Sequence, residues 1–316
     1  MAQRDASVHD DPRIHVTAAG LMRLGGRARK LSLLPRQPSH SILNGRHASR
    51  LRGRGLNFEE LRNYQPGDDV RSIDWKVTAR TGEPHVRVYT EERDRPALLL
   101  VDQRMSMYFG SVSYMKSVVA AEAAAIVADR ILAQGDRVGG IVFGDEAIAE
   151  HKPMRRPAAL RRFLSSISDA NALLSADRVV QDPIALNDVL RAATRIAKTN
   201  TLVMVFSDFD GLDDDSERMI RQLALSNDVI LFNVSDNPDG DLALNARLAI
   251  SDGLLQAELD LGDAATRQRV ETVLKGRLNE LFAWSRKYGF PVAPLNTLKP
   301  ALDQLMYLFG HSGGRI

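Results

Sequence analysis

Two short stretches hold the residue types best suited to chemistry. In LLLVDQRMSMYFG an apolar run ends in Asp102, with Ser106 following in the next loop. In VMVFSDFDG a second apolar run ends in Asp208, followed by Asp210 and Gly211. Carboxylates at the ends of neighbouring strands form a corner of hard oxygen atoms, the ligand type that suits Mg²⁺. Open α/β sheets bind ligands beyond the carboxyl ends of their strands, near the switch point, so the functional end is expected there. The alternative is that these carboxylates cap helices and brace loops.

Other catalytic signatures are missing from the sequence. It has no GxxxxGK[ST] phosphate loop, no GxGxxG after a strand, no HExxH and no GxSxG. Most of the seven histidines precede the expected sheet, and His151 stands far from any expected strand carboxyl end. There is no cysteine, which excludes disulfides, thiolate zinc sites and cysteine nucleophiles. Cysteine-free composition also suits a reducing cytosol. The expectation is a protein that is not an enzyme.

These residues need a scaffold, and the composition supports one. The 316 residues are 44% hydrophobic and 26% charged, ordinary values for a globular chain with a sizeable core. Between Pro96 and residue 310, short apolar runs alternate with helical patterns. ALLLVD, DRVGGIVF, TLVMVFS and Val229–Val234 read as strands, with Ala147–His151 as a further one. Helices are expected over Tyr114–Gln134, Pro157–Ile167, Pro183–Lys198, Ser216–Ser226, Ala264–Lys287 and Leu298–Leu308, and a hairpin over Ala246–Leu261. Strands alternating with helices form βαβ units, so residues 96–310 are expected to be one α/β domain with a mostly parallel sheet flanked by helices.

Residues 1–40 read as a basic arm, partly disordered, with one amphipathic helix within Ile14–Leu34. Before Asn57 the cations Arg23, Arg27, Arg29, Lys30, Arg36, Arg46, Arg50, Arg52 and Arg54 meet few acids, although the net charge of the chain is only +2. A solvated arm is the plain reading; contact with an acidic partner or nucleic acid is the sharper one. The arm lacks the interleaved aromatics that stack on bases, which weighs against nucleic acid. No signal peptide is visible. Glu122 and Asp129 interrupt the most apolar helical stretch, so no membrane span is expected and the chain reads as soluble and cytoplasmic.

Residues 41–95 are irregular and polar, and end in a strand around Val86 and Val88. Tyr64, Ile73 and Trp75 are expected to form an apolar anchor, with Arg62, Arg71, Lys76 and Arg80 able to pair with Glu59, Asp68, Asp69 and Asp74. Such a network is costly to bury unless every member is hydrogen-bonded. It serves either to clamp the segment onto the sheet or as an exposed recognition surface.

Two resemblances add to this reading. The strand-end residues resemble the von Willebrand factor A (vWA) domain, a Rossmann-like fold, where DxSxS, a later threonine and a later aspartate hold a metal. Asp102, Ser106 and Asp208 fall on three of those positions; Arg104 stands at the middle serine and Ile184 at the threonine. Opposite charges about 4 Å apart gain about 4 kcal/mol at an effective dielectric of 20. Arg104 is therefore expected to serve as a built-in counter-ion and to leave the site without metal. Mg²⁺ with Arg104 swung outward is the alternative.

The segment before the sheet closely resembles the domain-of-unknown-function 58 family, through Arg62, Tyr64, Gly67, Asp68, Asp69, Arg71, Ile73, Asp74, Trp75, Ala79 and Arg80, and onward through QGDRVGGIVFGD and SDFDG. That resemblance implies a partnership with MoxR-type AAA+ ATPases in assembling or activating a client protein. The expected function is a non-catalytic adaptor, with Arg62, Tyr64, Asp68, Asp69, Arg71, Asp74, Trp75 and Arg80 on its partner surface. A nucleic-acid-associated protein using the arm and a metal-dependent hydrolase at Asp102 and Asp208 are the alternatives. The hydrolase lacks an evident general base, and Arg104 opposes its metal.

Overall fold

The computed structural model describes residues 11–27, 56–66, 68–91, 95–178, 182–236, 247–251, 256–260 and 264–309. The chain divides into two compact units, Leu34–Asp94 and the remainder. In chain order the helices and strands are α1 (Ala18–Gly25), β1 (Leu56–Asn63), α2 (Trp75–Thr81), β2 (His85–Glu91), β3 (Ala97–Asp102), α3 (Lys116–Ala133), β4 (Val138–Phe143) and β5 (Ile148–Met154). They continue with α4 (Pro157–Ala172), α5 (Leu186–Ile196), β6 (Leu202–Ser207), α6 (Asp214–Ser226), β7 (Asp228–Ser235), β8 (Arg247–Ser251), β9 (Gln256–Asp260), α7 (Ala264–Tyr288), β10 (Val292–Asn296) and α8 (Ala301–Phe309).

The larger unit is a mixed α/β structure around a six-stranded sheet in the order β10-β7-β6-β3-β4-β5. Neighbours are parallel except β5, which runs antiparallel to β4. Strands β3, β4 and β6 are buried along their whole length, which is why they read as unbroken apolar runs rather than alternating ones. From β3 the chain turns to β4 on one side and later returns to β6 on the other. The carboxyl ends of β3 and β6 therefore flank the switch point, where open sheets form their crevice.

One sheet face is covered by α5, α6 and α7. Leu98, Leu100, Ile141 and Phe143 pack there against Val189, Leu190, Ile220, Leu281 and Trp284. The other face carries α3, α4 and α8. Helix α3 is buried on nearly every side, through alanines that admit close approach. Gly140 in β4 makes a comparable approach possible: a Cβ there would lie 2.6 Å from the Phe163 ring of α4.

The first residues correct the expected arm. Rather than standing apart as a basic extension, residues 11–27 are built into the α/β unit. The N–H of Met115 donates to the carbonyl of Arg13 at 2.9 Å, and that of Val16 to Asn171 Oδ1 at 2.8 Å. Thr17 caps α1, whose Leu21 is buried and whose Gly25 lies too close to Asp129 for any side chain. Apolar residues at helical spacing thus serve docking onto α3 and α4. The helix is shorter than expected, since Gly25 and Gly26 close it. Residues 28–55, with most of the counted arginines, lie outside the described residues, as does Gly67.

The smaller unit pairs β1 with β2 antiparallel, with a bulge between Phe58 and Glu60, and carries α2 between them in sequence. Neither β1, α2 nor β10 was expected from the sequence. Strand β10 has a proline in its middle and joins the sheet at its edge, where a missing N–H is tolerated. The hairpin β8–β9 falls where Asp252 and Gly253 suggested a turn.

Candidate functional site at the strand carboxyl ends

Asp102 ends β3 and is wholly buried. Its Oδ1 accepts the backbone N–H of Arg104 at 3.0 Å and Arg104 Nε at 3.1 Å, while its Oδ2 accepts Arg104 Nη2 at 2.8 Å and the Ser207 hydroxyl at 2.6 Å. Arg104 therefore points inward, and its Nη2 also donates to the Asp210 carbonyl at 3.1 Å. Burial works against the charge on this guanidinium, but the field and hydrogen bonds of Asp102, helped by Asp208 and Asp210, outweigh it and raise its pKa further.

Asp208 follows β6 and carries the second buried pair. Its Oδ2 accepts Lys116 Nζ at 2.6 Å, and its Oδ1 accepts the Ser106 hydroxyl at 3.3 Å and the Asp210 N–H at 3.0 Å. Burial would push this carboxyl up; the Lys116 charge and hydrogen bond, the Asp210 N–H and the Arg104 charge hold it below its ordinary value. Arg277 of α7 closes the loop, donating to the Asp208 carbonyl at 3.1 Å and to the Asp210 carboxylate at 2.7 Å. The intervening Phe209 is in the left-handed region, φ 57°, with its side chain buried. Such strain persists only where surrounding packing over-determines the backbone, and here it aims Asp208 and Asp210 in different directions.

Around these pairs the loops are pinned. Asp145 accepts the Met105 N–H at 2.8 Å, and burial pushes its carboxyl up, partly offset by that bond. Gln103 donates to the carbonyls of Asp102 and Ser117, and accepts from Asn171, the residue that also holds Val16. Asp236, after β7, accepts the Ser111 N–H at 3.2 Å and the Thr297 hydroxyl. A cleft between Phe109, Lys116, Asp208, Asn233, Asp236 and Arg277 opens beside the pairs.

Of the sequence candidates, Asp102, Arg104, Ser106 and Asp208 come together. The Ile184 N–H donates to the Asp145 carbonyl at 2.8 Å, but its side chain packs against the core and offers no oxygen. With the Arg104 guanidinium on both oxygens of Asp102 and the Lys116 ammonium on Asp208, this set does not fit a divalent cation. Lys116, Ser207 and Arg277 were missed from the sequence. A lysine opening an otherwise apolar helix was the only signal any of them gave.

In the smaller unit the described residues show one ion pair of the expected charge network. Arg62 binds Asp68 through both nitrogens, each at 2.7 Å, and Asp68 also accepts the Gln65 N–H. These bonds hold the Asp68 carboxyl down at about 2. Asp69 and Asp74 cap the short helix Val70–Ser72 and α2. Tyr64 and Ile73 are half-buried. Trp75 corrects the expected anchor: at the first position of α2 it faces outward and is 65% exposed. Arg71 and Arg80 are exposed too.

The fold and site define a mixed α/β protein, with a mostly parallel sheet and a switch point closed by its own cations. The chain belongs to the family described as protein of unknown function DUF58, whose model matches residues 60–278. Uncharacterized proteins of Mycobacterium bovis and Mycobacterium tuberculosis are each 30% identical over 223 residues, covering 70% of this chain and 68% of theirs. Among solved structures, the conserved hypothetical protein BatB from Bacteroides thetaiotaomicron matches at 15% identity and a TM-score of 0.42, over 68% of this chain and 98% of its own. An aerotolerance-related membrane protein from Bacteroides fragilis matches at 14% and 0.41, over 67% and 96%. Among the described residues of this chain, no helix is long and apolar enough to cross a membrane.

Proposed function

We propose that this protein is a non-catalytic binding module with a vWA-like core, acting as an adaptor or chaperone-like partner of a MoxR-type AAA+ ATPase on a client protein. The observation that carries the reading is the state of the strand-end carboxylates. Asp102 and Asp208 are buried and engaged by Arg104 and Lys116. A carboxylate held this way is a poor general base, since its lone pairs are taken by buried donors. What the pairs do supply is rigidity: they tie together the loops after β3 and β6 at the crevice, and loops on a rigid scaffold are where proteins place recognition. The partner class comes from the family resemblance. On this reading Mg²⁺ is not required, and the site works without a cofactor.

The test is affinity capture of the tagged protein from its own cells at two salt concentrations, with bound proteins identified and nucleic acid quantified. An AAA+ ATPase recovered in near-equal amount at both salts is the expected result. Nucleic acid at low salt with no ATPase would overturn the reading.

A further inference from the structure

In the smaller unit the acids with described side chains, Asp68, Asp69, Asp74 and Glu83, all accept hydrogen bonds. Asp68 holds Arg62, Asp69 and Asp74 hold backbone N–H groups, and Glu83 accepts from Asn63 at 3.4 Å. The cations differ. Among the described residues, the side chains of Arg71, Lys76 and Arg80 have no hydrogen-bond or ion-pair partner, and all three are exposed. On α2, residues four apart share a face, so Trp75 stacks above Ala79 and Lys76 above Arg80. The outward side of this helix is thus an exposed indole and a small residue running beside two cations, and Arg71 is a third exposed cation in the short helix Val70–Ser72 that precedes it.

We propose that this face of α2 is a docking surface for an acidic segment of a partner protein, with Trp75 as its apolar anchor. This deepens the adaptor reading and rests on it. Charge complementarity selects the occupant: three uncompensated cations call for carboxylates, and Trp and Arg are the residues over-represented where binding energy concentrates. Nucleic acid fits less well, because one aromatic gives one stacking platform and the chain has a net charge of only +2. A lipid surface fits less well still, because an interfacial helix needs a broad apolar face and α2 shows one indole beside an alanine.

The tryptophans provide the readout. There are two, and Trp284 is 6% exposed, so a change in indole emission on binding reports Trp75. The probe is a synthetic peptide rich in Asp and Glu with interspersed leucines, titrated into the full chain. A saturable blue shift is expected, weakening as salt rises. The double variant Lys76→Glu/Arg80→Glu is expected to lower the affinity about tenfold or more. A peptide that fails to bind, or binds the variant equally well, would overturn the proposal. So would tighter binding of a single-stranded oligonucleotide or an anionic vesicle at the same salt. Affinity capture with the same variant separates the two readings. An ATPase recovered equally by wild type and variant sinks the α2 surface and leaves the adaptor function standing. An ATPase recovered by neither sinks the adaptor function.

Discussion

The strand-end site and the face of α2 use the same residue types in opposite ways. At the strand ends Asp102, Arg104, Lys116 and Asp208 are buried and paired, and every carboxylate oxygen has a donor. Around α2 the described acids serve as helix caps and in one ion pair, while Lys76 and Arg80 of α2 stand in solvent with an exposed indole, as does Arg71 of the preceding short helix. A buried charge pair is weak evidence for stability but strong evidence for a fixed geometry, because removing one member strands the other. Exposed, unpartnered charges contribute little to folding and remain available for association. The contrast separates a brace from a surface, and each side of it can be broken separately.

The largest effect is expected at the brace. Arg104→Met leaves the wholly buried Asp102 without its cationic partner, and should cost about 3–5 kcal/mol in urea unfolding. The double variant Asp102→Asn/Arg104→Met should cost less than the sum of the two single changes, since the second removes the charge stranded by the first. Additive losses would show that the pair is not coupled. If Arg104→Met does not fold well enough to measure, the milder Arg104→Lys still tests the coupling, since it keeps the charge but loses the bidentate geometry.

Glu122 sharpens the comparison, because it is a half-buried carboxyl that no described cation pairs. Burial pushes it up to about 7, only partly offset by the Ala301 N–H. A raised carboxyl keeps its full folding contribution below its ordinary value near 4.5 and loses it as pH climbs to about 7. Wild-type stability should therefore decline across that window by roughly 3 kcal/mol and then level off. Glu122→Gln should remove the decline. The measurement is the urea midpoint at several pH values, and parallel curves for the two proteins would refute the assignment. The expectation for Asp208 has the opposite sign: its depressed carboxyl supports the fold above about pH 4 and loses that contribution in acid.

A smaller effect is expected at the cap. Asp74 accepts the N–H groups of Lys76 and Val77, and Asp74→Ala should cost about 1 kcal/mol, the ordinary worth of a lost N-cap. Asp74→Asn should retain most of it. Equal losses from both would mean that the negative charge, not the cap, is what α2 needs.

The two regions also differed in how far the sequence revealed them. The buried strands were legible because a strand covered on both faces is a short unbroken apolar run, and Asp102 and Asp208 stood at the ends of two of them. Arg104 was legible as a cation in the wrong place for a metal. Lys116 and Arg277 were not, because each meets Asp208 from a helix distant in sequence, and Ser207, though next to Asp208, meets Asp102 only because β6 lies beside β3. In the smaller unit the motif residues were obvious but their pairing was not. Asp69 and Asp74 accept local backbone N–H groups, as short polar side chains do at helix starts. Trp75 misled because a tryptophan amid charges reads as an anchor, whereas its position at the start of a helix turned it outward.

The smallest effect expected on stability belongs to the cations of α2, and it is the one that divides brace from surface. Lys76→Glu/Arg80→Glu removes no described hydrogen bond and buries no charge, so the urea midpoint should shift by no more than about 0.5 kcal/mol. A loss of several kcal/mol would mean that these cations help hold the fold, and the division between paired interior and available exterior would collapse. A negligible loss leaves them free of structural duty. Three cations kept unpaired beside an exposed tryptophan then have their use in what they meet from outside.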